Sequence, residues 1–390
     1  MIHTTPAVTD ADRVVLDRVG ELRSKLRFYL HEPRRWYSSL RRATLARAVQ
    51  GSNSIEGYHA SVEDVVAIVE GEEPLNADEE TRHAIEGYRD AMTYVLQLGS
   101  SPPMPPLDES LLKSLHFMML KYDLTKSPGQ WRPGAVWVEN QDGEVIYQAP
   151  SREGLESLVA EILASVNESV GDPMIRAAMA HLNLALVHPF SDGNGRMARC
   201  VQSYVLAGDG LLSPEFLSIE EYLGHNTTAY YDVLTQVAHG SWSPTRDARP
   251  WLRFCLSAHY RQAQTLLRRI EETEALWDRC DQLARRHRLP DRSVGALCDS
   301  ARGWRLRRSL YIKTVKSSAG EEITDATATR DLSAMAKAGL IDPVGEKRGR
   351  YYQPTAELTQ VWRAIREGRQ SRPTDDPYEL VQPQLPGMGR

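Results

Sequence analysis

Residues 172–187 constrain the fold of this chain more than any other stretch. Alanine, leucine and methionine dominate the segment, which predicts a central helix buried among other elements. The helix must end at His188-Pro189, because the residue before a proline disfavours helical geometry. Another helix is predicted for residues 194–207, so a short glycine-containing loop has to join two tightly packed helices.

Helical periodicity extends over most of the chain and predicts a mainly α fold. Further helices are predicted for residues 14–30, 34–49, 61–70, 81–98, 109–120, 154–167, 218–239 and 250–283. Between residues 129 and 150 the period changes. Two short apolar runs at 135–138 and 144–147 flank Asn140-Gln-Asp-Gly143, which is typical of a small β-hairpin.

The C-terminal part differs in charge from the rest. Residues 285–369 hold 18 lysine and arginine residues against 10 acidic residues, so this region carries +8 and the remainder −13. Short helices are predicted at 294–301, 310–317 and 325–338, followed by a β-hairpin around 345–349. Such a basic module either binds nucleic acid or another anion, or presents a solvated basic surface.

The loop after the buried helix combines groups suited to phosphate chemistry. Gly193-Asn194-Gly195 leads into a helix N-terminus, where backbone N–H groups bind anions. Arg196 and Arg199 lie three residues apart and can offer guanidinium forks to phosphate oxygens. Asp192 is a hard oxygen ligand of the kind that Mg²⁺ prefers, and His188 can accept a proton at neutral pH.

Residues 188–199, HPFSDGNGRMAR, resemble the Fic-family signature H-x-F-x-[D/E]-G-N-G-R-x-x-R at every defined position. The resemblance extends over about residues 51–259 and implies an all-α core. It also implies transfer of AMP from ATP to a Ser, Thr or Tyr hydroxyl of a protein, with release of pyrophosphate. The implied roles are a base (His188), a Mg²⁺ ligand (Asp192), a cradle for the α- and β-phosphates (Gly193, Asn194, Gly195, Arg196), a γ-phosphate ligand (Arg199) and a loop anchor (Phe190).

Two features of the sequence narrow this activity. The Doc-like branch of the family, which transfers phosphate, has lysine where Gly195 stands, so glycine here favours AMP transfer. No P-loop motif occurs, so the nucleotide is not held in the P-loop manner.

The same resemblance assigns roles to two outlying segments. The hairpin at 135–147 would be the flap that pairs with the backbone of a target through Val136, Trp137 and Val138; a solvent-exposed hairpin is the alternative. Asn226, Tyr230 and Tyr231 would line the adenine and ribose side. Many relatives carry arginine where Thr227 stands, and one of the two tyrosines is expected to be a core residue instead.

Upstream, Ser52-Asn-Ser-Ile-Glu56-Gly57 resembles the inhibitory motif [S/T]-x-x-x-E-[G/N] of the family. The resemblance implies that the Glu56 carboxylate pairs with Arg199, in a bidentate manner, and so competes with the γ-phosphate of ATP. In some Fic proteins the same glutamate positions a water that removes AMP from the target, and the sequence leaves both roles open.

The segment 325–341 resembles the recognition helix of a winged-helix domain. Leu332, Met335 and Leu340 would face the core, and Thr327, Thr329, Arg330 and Ser333 would face outward. Lys347, Arg348 and Arg350 would form the wing. Such a helix could enter a DNA major groove, and winged helices also serve as protein-interaction or dimerisation modules.

Five regions are therefore expected: an N-terminal helical region with the inhibitory motif (1–100), a Fic catalytic core (101–260), a connecting helix (261–289), a winged-helix domain (290–356) and a disordered tail (370–390). The leading function is an autoinhibited protein adenylyltransferase that uses ATP and Mg²⁺. The alternatives are a combined AMPylase and deAMPylase, or a DNA-binding regulator with a nucleotide-sensing Fic core. The expected partners are a protein substrate, which includes the chain itself, DNA, and a second copy in a homodimer.

The cysteines and the apolar runs of the sequence bear on the cellular location of the protein. The four cysteines are scattered and form no C-x-x-C pair. No run of 18 or more apolar residues occurs, and the first 13 residues lack the apolar core of a signal peptide. A cytoplasmic protein without a membrane partner is expected.

Overall fold

The computed structural model describes residues 1–31, 34–100, 103–139, 143–168, 170–208, 210, 214–346, 349–369 and 376–379. Within these residues the chain forms fifteen α-helices and five short strands, which confirms the mainly α class. The helices are α1 (Asp10–His31), α2 (Tyr37–Ile55), α3 (Val62–Val69), α4 (Glu79–Gly99), α5 (Glu109–Leu120), α6 (Leu155–Asn167), α7 (Pro173–Val187), α8 (Asn194–Ala207), α9 (Glu220–His225), α10 (Thr227–Ala238), α11 (Arg249–Arg286), α12 (Val294–Ala301), α13 (Arg308–Ala319), α14 (Asp325–Lys337) and α15 (Ala356–Glu367).

The helix α7 lies at the centre of the larger hydrophobic core, as the sequence predicts. Asp172 caps it by accepting a hydrogen bond from the Met174 N–H, and Pro173 occupies its first turn. Residues on all sides of α7 and α8 are buried. Because the two helices pack closely together, the loop between them has little freedom to move.

Two helix predictions were incomplete. The predicted helix 218–239 is divided into α9 and α10 at Asn226, whose backbone leaves helical geometry with φ −126° and ψ 40°. The helix α15 was not predicted. Thr355 caps it, and Leu358, Val361, Trp362 and Ile365 pack into or against the smaller core at helical spacing.

The strands form two small sheets. The flap hairpin consists of β1 (Trp137–Glu139) and β2 (Val145–Gln148), paired antiparallel with Val138 opposite Tyr147. The strand β3 (Gly240–Ser241) adds parallel to β2, so β1 is an outer strand among the described residues. The second sheet pairs β4 (Ile341–Val344) with β5 (Tyr351–Pro354). The predicted flap turn at 140–142 lies outside the described residues.

The long helix α11 belongs to both hydrophobic cores. Residues as far as Ile270 join the larger core, and residues from Leu276 onward join a smaller core built from α12 to α15. The predicted Fic core and connecting helix therefore share one continuous helix of 38 residues. The five regional boundaries stay predictions.

The C-terminal module consists of α12, α13 and α14 followed by the β4–β5 hairpin, and an isolated bridge joins Leu306 to Tyr352. Leu332, Met335 and Leu340 are buried, as predicted, and Thr329 and Arg330 are exposed. The winged-helix assignment stays a prediction. Lys347, Arg348 and most of the predicted disordered tail lie outside the described residues.

This module packs against α2 and α3 through ion pairs. Arg305 donates to Glu63 (Nε–Oε1 2.7 Å) and to the buried Asp64 (Nη2–Oδ1 3.0 Å). Arg42 of α2 pairs with the buried Asp299 of α12. In the part of the chain that the structure describes, no helix has the length and apolar character needed to cross a membrane.

Candidate active site

Two residues in left-handed backbone geometry shape the loop between α7 and α8. His188 ends α7 with φ 53°, and Gly193 precedes α8 with φ 76°. A Cβ on Gly193 would also lie 3.1 Å from the Leu120 side chain. Glycine is therefore needed at this turn on two grounds, its backbone conformation and the close contact.

Asn194 closes the loop on itself. Its side chain accepts a hydrogen bond from the Phe190 N–H and donates one to the Phe190 carbonyl, both at 2.9 Å. Phe190 is fully buried and stacks on His116 at 3.7 Å between ring centroids, as expected of an anchor. The Asn194 side chain thus holds the loop, and the predicted phosphate cradle of backbone N–H groups stays a prediction.

The tautomer of His188 follows from its hydrogen bond. Its Nδ1 lies 3.1 Å from the Ala185 carbonyl, which can only accept, so Nδ1 carries the proton and Nε2 is left as an acceptor. Burial lowers the pKa of His188 below its usual value, although the Ala185 carbonyl opposes this. The ring is therefore neutral at pH 7 and can take up a proton at Nε2.

Asp192 is held in place by its neighbours. Its carboxylate lies 3.0 Å from the Lys126 ammonium, and its backbone carbonyl accepts from His116 Nε2 at 2.9 Å. Burial would raise the pKa of Asp192, but the hydrogen bond from Lys126 and the charge of Arg196 outweigh it and lower the pKa. The carboxylate is ionised at neutral pH, as a metal ligand must be.

A single carboxylate beside a phosphate cradle fits Mg²⁺, which typically binds one or two carboxylates together with substrate phosphates. Among the described residues, no group of three or more His, Cys, Asp or Glu side chains could hold a metal ion. Any Mg²⁺ here would therefore take its remaining oxygen ligands from the nucleotide and from water.

Arg196 lacks the partners that a buried guanidinium needs. It is 1% exposed, and its Nε and Nη1 atoms are buried without a hydrogen bond to any described residue. The Tyr58 ring lies 5.2 Å from its Cζ atom. Leaving such donors unpaired is unfavourable by roughly 1–3 kcal/mol, so Arg196 is poised for an anionic ligand.

Arg199, by contrast, is engaged by the upstream motif. Its Nη2 donates to Glu56 Oε1 at 2.6 Å, and its Nε donates to Ser52 Oγ at 2.7 Å. Burial alone would lower the pKa of Arg199, but the Glu56 carboxylate raises it. The predicted pairing of the motif with Arg199 is thus present in the structure. It is not bidentate: Nη2 alone reaches Glu56, and Nη1 is buried without a partner.

Glycines position Glu56 against the loop. A Cβ on Gly51 of α2 would lie 2.4 Å from the Glu220 carbonyl, so α2 approaches α9 closely. Gly57 follows Glu56 with φ 88° and turns the chain away. A Cβ on Gly195 would lie 2.5 Å from Glu56 Oε1. The carboxylate therefore occupies the space that a side chain at position 195 would fill.

These groups surround a cavity of about 180 Å³. Its lining includes the predicted residues His188, Gly195, Glu56, Tyr230, Tyr231 and Val138. The volume lies below the roughly 300–1,000 Å³ typical of small-molecule sites. The Glu56 carboxylate takes up part of the space at the Gly195 end.

The three residues predicted for the adenosine side differ in their surroundings. Tyr231 lines the cavity and is 43% exposed, whereas Tyr230 is 2% exposed and its ring packs against His181 and Trp251. Asn226 is not among the lining residues, and its side chain donates to the Tyr222 carbonyl.

Arg132 was missed by sequence reasoning. It is fully buried and donates to three backbone carbonyls, those of His188 (2.9 Å), Gly134 and Pro150 (2.6 Å). These hydrogen bonds link the loop between α7 and α8 to both ends of the flap hairpin. Trp137 and Val138 lie in the outer strand β1, and Val136 directly precedes it; Trp137 is 54% exposed. No local pattern distinguishes such an arginine from a surface one.

Comparisons with known proteins agree with this geometry. The Fic/DOC family matches residues 106–206, which include the whole loop. This segment is similar to a Fic domain. The chain is 27% identical over 257 residues to "Protein adenylyltransferase Fic" of Nematostella vectensis, covering 64% of this chain and 55% of that one. It is 27% identical over 256 residues to "Protein adenylyltransferase fic-1" of Caenorhabditis elegans, covering 65% and 46%.

The chain thus spans about half the length of these curated relatives. Among solved structures, a Fic family protein from Desulfovibrio desulfuricans G20 aligns with a TM-score of 0.59 at 20% identity, covering 91% of this chain and 98% of that one. The Fic-1 structure from C. elegans aligns at 0.54 with 23% identity, covering 67% and 73%. At this identity the solved structures support the fold alone.

Proposed function

We propose that this chain is an autoinhibited protein adenylyltransferase. The observation that carries the proposal is the ion pair between Arg199 and Glu56, because Glu56 lines the same cavity as His188. The arginine that the family resemblance assigns to the γ-phosphate is held by an internal carboxylate. Nucleotide must therefore displace Glu56 before its phosphates can be aligned.

The proposed reaction uses the groups of the loop directly. His188 Nε2 takes the proton of a target hydroxyl as its oxygen bonds to the α-phosphorus of ATP. The bond from the α-phosphorus to the oxygen bridging to the β-phosphate breaks, and pyrophosphate leaves. Arg196 and the N–H groups at the start of α8 would stabilise the charge on the phosphates. Mg²⁺ held by Asp192 would neutralise further phosphate charge.

The outer strand β1 supports a protein as the second substrate. Its free edge can pair with an extended segment of a target, which includes a segment of the same chain, and so bring a hydroxyl to His188. Backbone pairing makes few demands on the target sequence. A cytoplasmic location is part of the proposal, because the four cysteines are buried and unpaired, as in reducing compartments.

Labelling with radioactive ATP tests the proposal. Glu56→Gly should raise incorporation of AMP into the chain or an added extract by about 10-fold or more, because Arg199 becomes available. Glu73→Gly is the matched control, since Glu73 lies in an exposed loop and pairs with Arg82 instead. Equal labelling by wild type and Glu56→Gly would contradict autoinhibition.

A second candidate activity is removal of AMP from a modified target. It is supported by the position of Glu56, which lines the same cavity as His188 and could orient a water there. Purified AMP-modified target should lose its label with wild type and retain it with Glu56→Gly. Retention with both proteins would exclude this activity.

DNA binding and homodimerisation through the C-terminal module are further proposals. Thr329 and Arg330 on α14 are exposed, as the outward face of a recognition helix must be. If the module binds duplex DNA, the affinity of the full chain should fall steeply with salt. Absence of any shift at low salt would leave a protein-binding module, and sedimentation would test the dimer.

A further inference from the structure

A second cleft lies where α2 and α11 meet the C-terminal part of the chain. It has a volume of about 440 Å³ and is bordered by α2, α11 and α15 and by the turn after α12. Its described lining shares no residue with the cavity around His188. Six arginines line it: Arg47, Arg268, Arg269, Arg302, Arg366 and Arg369.

Carboxylates neutralise only part of this charge. Glu63 and Glu272 line the cleft, and Glu63 is already bound to Arg305. Glu272 accepts from Arg369, at 2.6 Å between Oε1 and Nε. Glu221 is bound by two nitrogens of Arg269. Among the described residues, Arg47 and Arg269 share Glu221, and Arg268 and Arg369 share Glu272.

Three of the arginines lack a close carboxylate partner in the described structure. Arg47 comes no nearer than 3.9 Å to Glu221. Arg302 donates to the hydroxyls of Ser39 (2.5 Å) and Thr273 (3.0 Å), and its nearest carboxylate, Asp299, lies at 3.8 Å and is bound more closely by Arg42. The guanidinium of Arg366 makes no ion pair or hydrogen bond with any described residue.

Burial and the neighbouring positive charges both affect the pKa of Arg47. Burial lowers its pKa to about 10, and the nearby charges of Arg269, Arg302 and Arg366 add to the effect, against Glu221. Positive charges concentrated in a cleft raise the local concentration of anions.

The cleft is also rigid on one side. Trp304 is 4% exposed, and the Arg302 guanidinium lies 5.6 Å from the ring centroids of both Trp304 and Trp362. These cation–π contacts, together with the hydrogen bonds to Ser39 and Thr273, favour one orientation of the Arg302 guanidinium. The guanidinium is therefore fixed before any ligand arrives, which reduces the entropy lost on binding.

We propose that this cleft binds a small anion carrying two or more phosphate groups. Guanidinium forks match phosphate oxygens in geometry and charge. The volume is within the range of small-molecule sites, roughly 300–1,000 Å³, and suits a compact ligand better than a duplex. Several arginines from three helices could each contact a different phosphate oxygen. The site is separate from the proposed AMP transfer.

Calorimetric titration of the full chain with inorganic tripolyphosphate at low ionic strength tests the site. Arg366→Glu should weaken binding at least 10-fold. Because Arg366 is exposed and unpartnered, this change leaves the fold intact. Arg363→Glu is the matched control: it makes the same charge change on α15 at an exposed position that does not line the cleft. It should weaken binding less than twofold.

A parallel titration with ATP distinguishes the source of the phosphates. The component of binding that Arg366→Glu removes is that of the cleft, whatever occurs near His188. Equal strength of this component for both probes indicates free polyphosphate, and a tighter component for ATP indicates a nucleotide. The proposal is overturned if neither probe shows a component sensitive to Arg366→Glu. It is equally overturned if Arg363→Glu weakens binding as much.

Discussion

The loop between α7 and α8, with the first turn of α8, and the C-terminal module are both rich in arginine. The two regions differ in the partners of those arginines. In the loop, Arg199 is held by Glu56 and Arg196 has buried donors without partners. In the module, Arg305 is bound to Glu63 and Asp64, and Arg307 lies 3.3 Å from Glu72. The arginine donors of the loop can therefore bind an anionic ligand. Arg305 and Arg307 of the module instead form ion pairs that join it to α3 and the loop after it.

The difference shows when charge in a sequence can be interpreted. The loop acts through neighbours within twelve residues, so its spacing alone predicts its chemistry. The net charge of +8 in residues 285–369 left two alternatives open, an anion-binding module and a solvated basic surface. The carboxylates that neutralise Arg305 and Arg307 come from α3 and the loop after it, more than 200 residues away, so composition could not reveal them.

The largest effect should follow from removing the base of the loop. In the Glu56→Gly background, His188→Ala should lower AMP incorporation about a thousandfold, because general-base catalysis contributes roughly 10²–10⁴-fold. The measurement is initial-rate labelling with radioactive ATP. His59→Ala, an exposed histidine near the inhibitory motif, should leave the rate unchanged. Labelling that survives in His188→Ala would remove the loop from its assigned role.

Most helices were predictable because their apolar spacing is local. The helices α5, α8 and α12 begin and end at the predicted residues. The division at Asn226 depends on a single side chain that bonds to the Tyr222 carbonyl, which periodicity does not detect. The helix α15 could have been predicted, because Leu358, Val361, Trp362 and Ile365 have helical spacing after a threonine cap.

The site was predictable where a contiguous motif covers it. Glu56 and Arg199, 143 residues apart, were paired through the family resemblance and not by any local pattern. Arg132 could not be found, because its partners are backbone carbonyls brought together by the fold. The use of Asn194 to close the loop depends on the short distance to Phe190, which only the folded backbone provides.

The next prediction tests whether the C-terminal module contributes to stability alone or also controls the loop between α7 and α8. Arg305→Ala leaves the buried Asp64 carboxylate without this partner, so the free energy of unfolding should fall by about 3 kcal/mol. Urea denaturation measures this, and Arg308→Ala, which breaks an exposed pair with Asp325, should change little. AMP labelling should stay within twofold of wild type. A rise in labelling like that of Glu56→Gly would mean that module packing controls the loop, and the contrast would fail.

A third effect concerns the surroundings of Arg199. Burial raises the pKa of Glu220 to about 7, opposed by the hydrogen bond from Ser203 and the charge of Arg199. The folded chain therefore keeps a proton that the unfolded chain loses near pH 4.5. The contribution of Glu220 to stability is present below that pH and declines by about 3 kcal/mol as pH rises to 7. Urea unfolding at pH 5 and pH 7.5 should show this decline in wild type and a smaller one in Glu220→Gln. Equal declines would exclude Glu220 as the group responsible.

The smallest effect separates the two partners of Arg199. Ser52→Ala removes the hydroxyl that accepts from Arg199 Nε but leaves the Glu56 carboxylate in place. The binding of Arg199 by Ser52 and Glu56 should weaken by about 1 kcal/mol, a typical value for one hydrogen bond. Labelling should therefore rise about fivefold and remain below that of Glu56→Gly. Ser54→Ala, which loses a bond to the Gly51 carbonyl, is the control and should leave labelling unchanged. If Ser52→Ala labelled as strongly as Glu56→Gly, the orientation of Arg199 and not the carboxylate would hold the loop inactive.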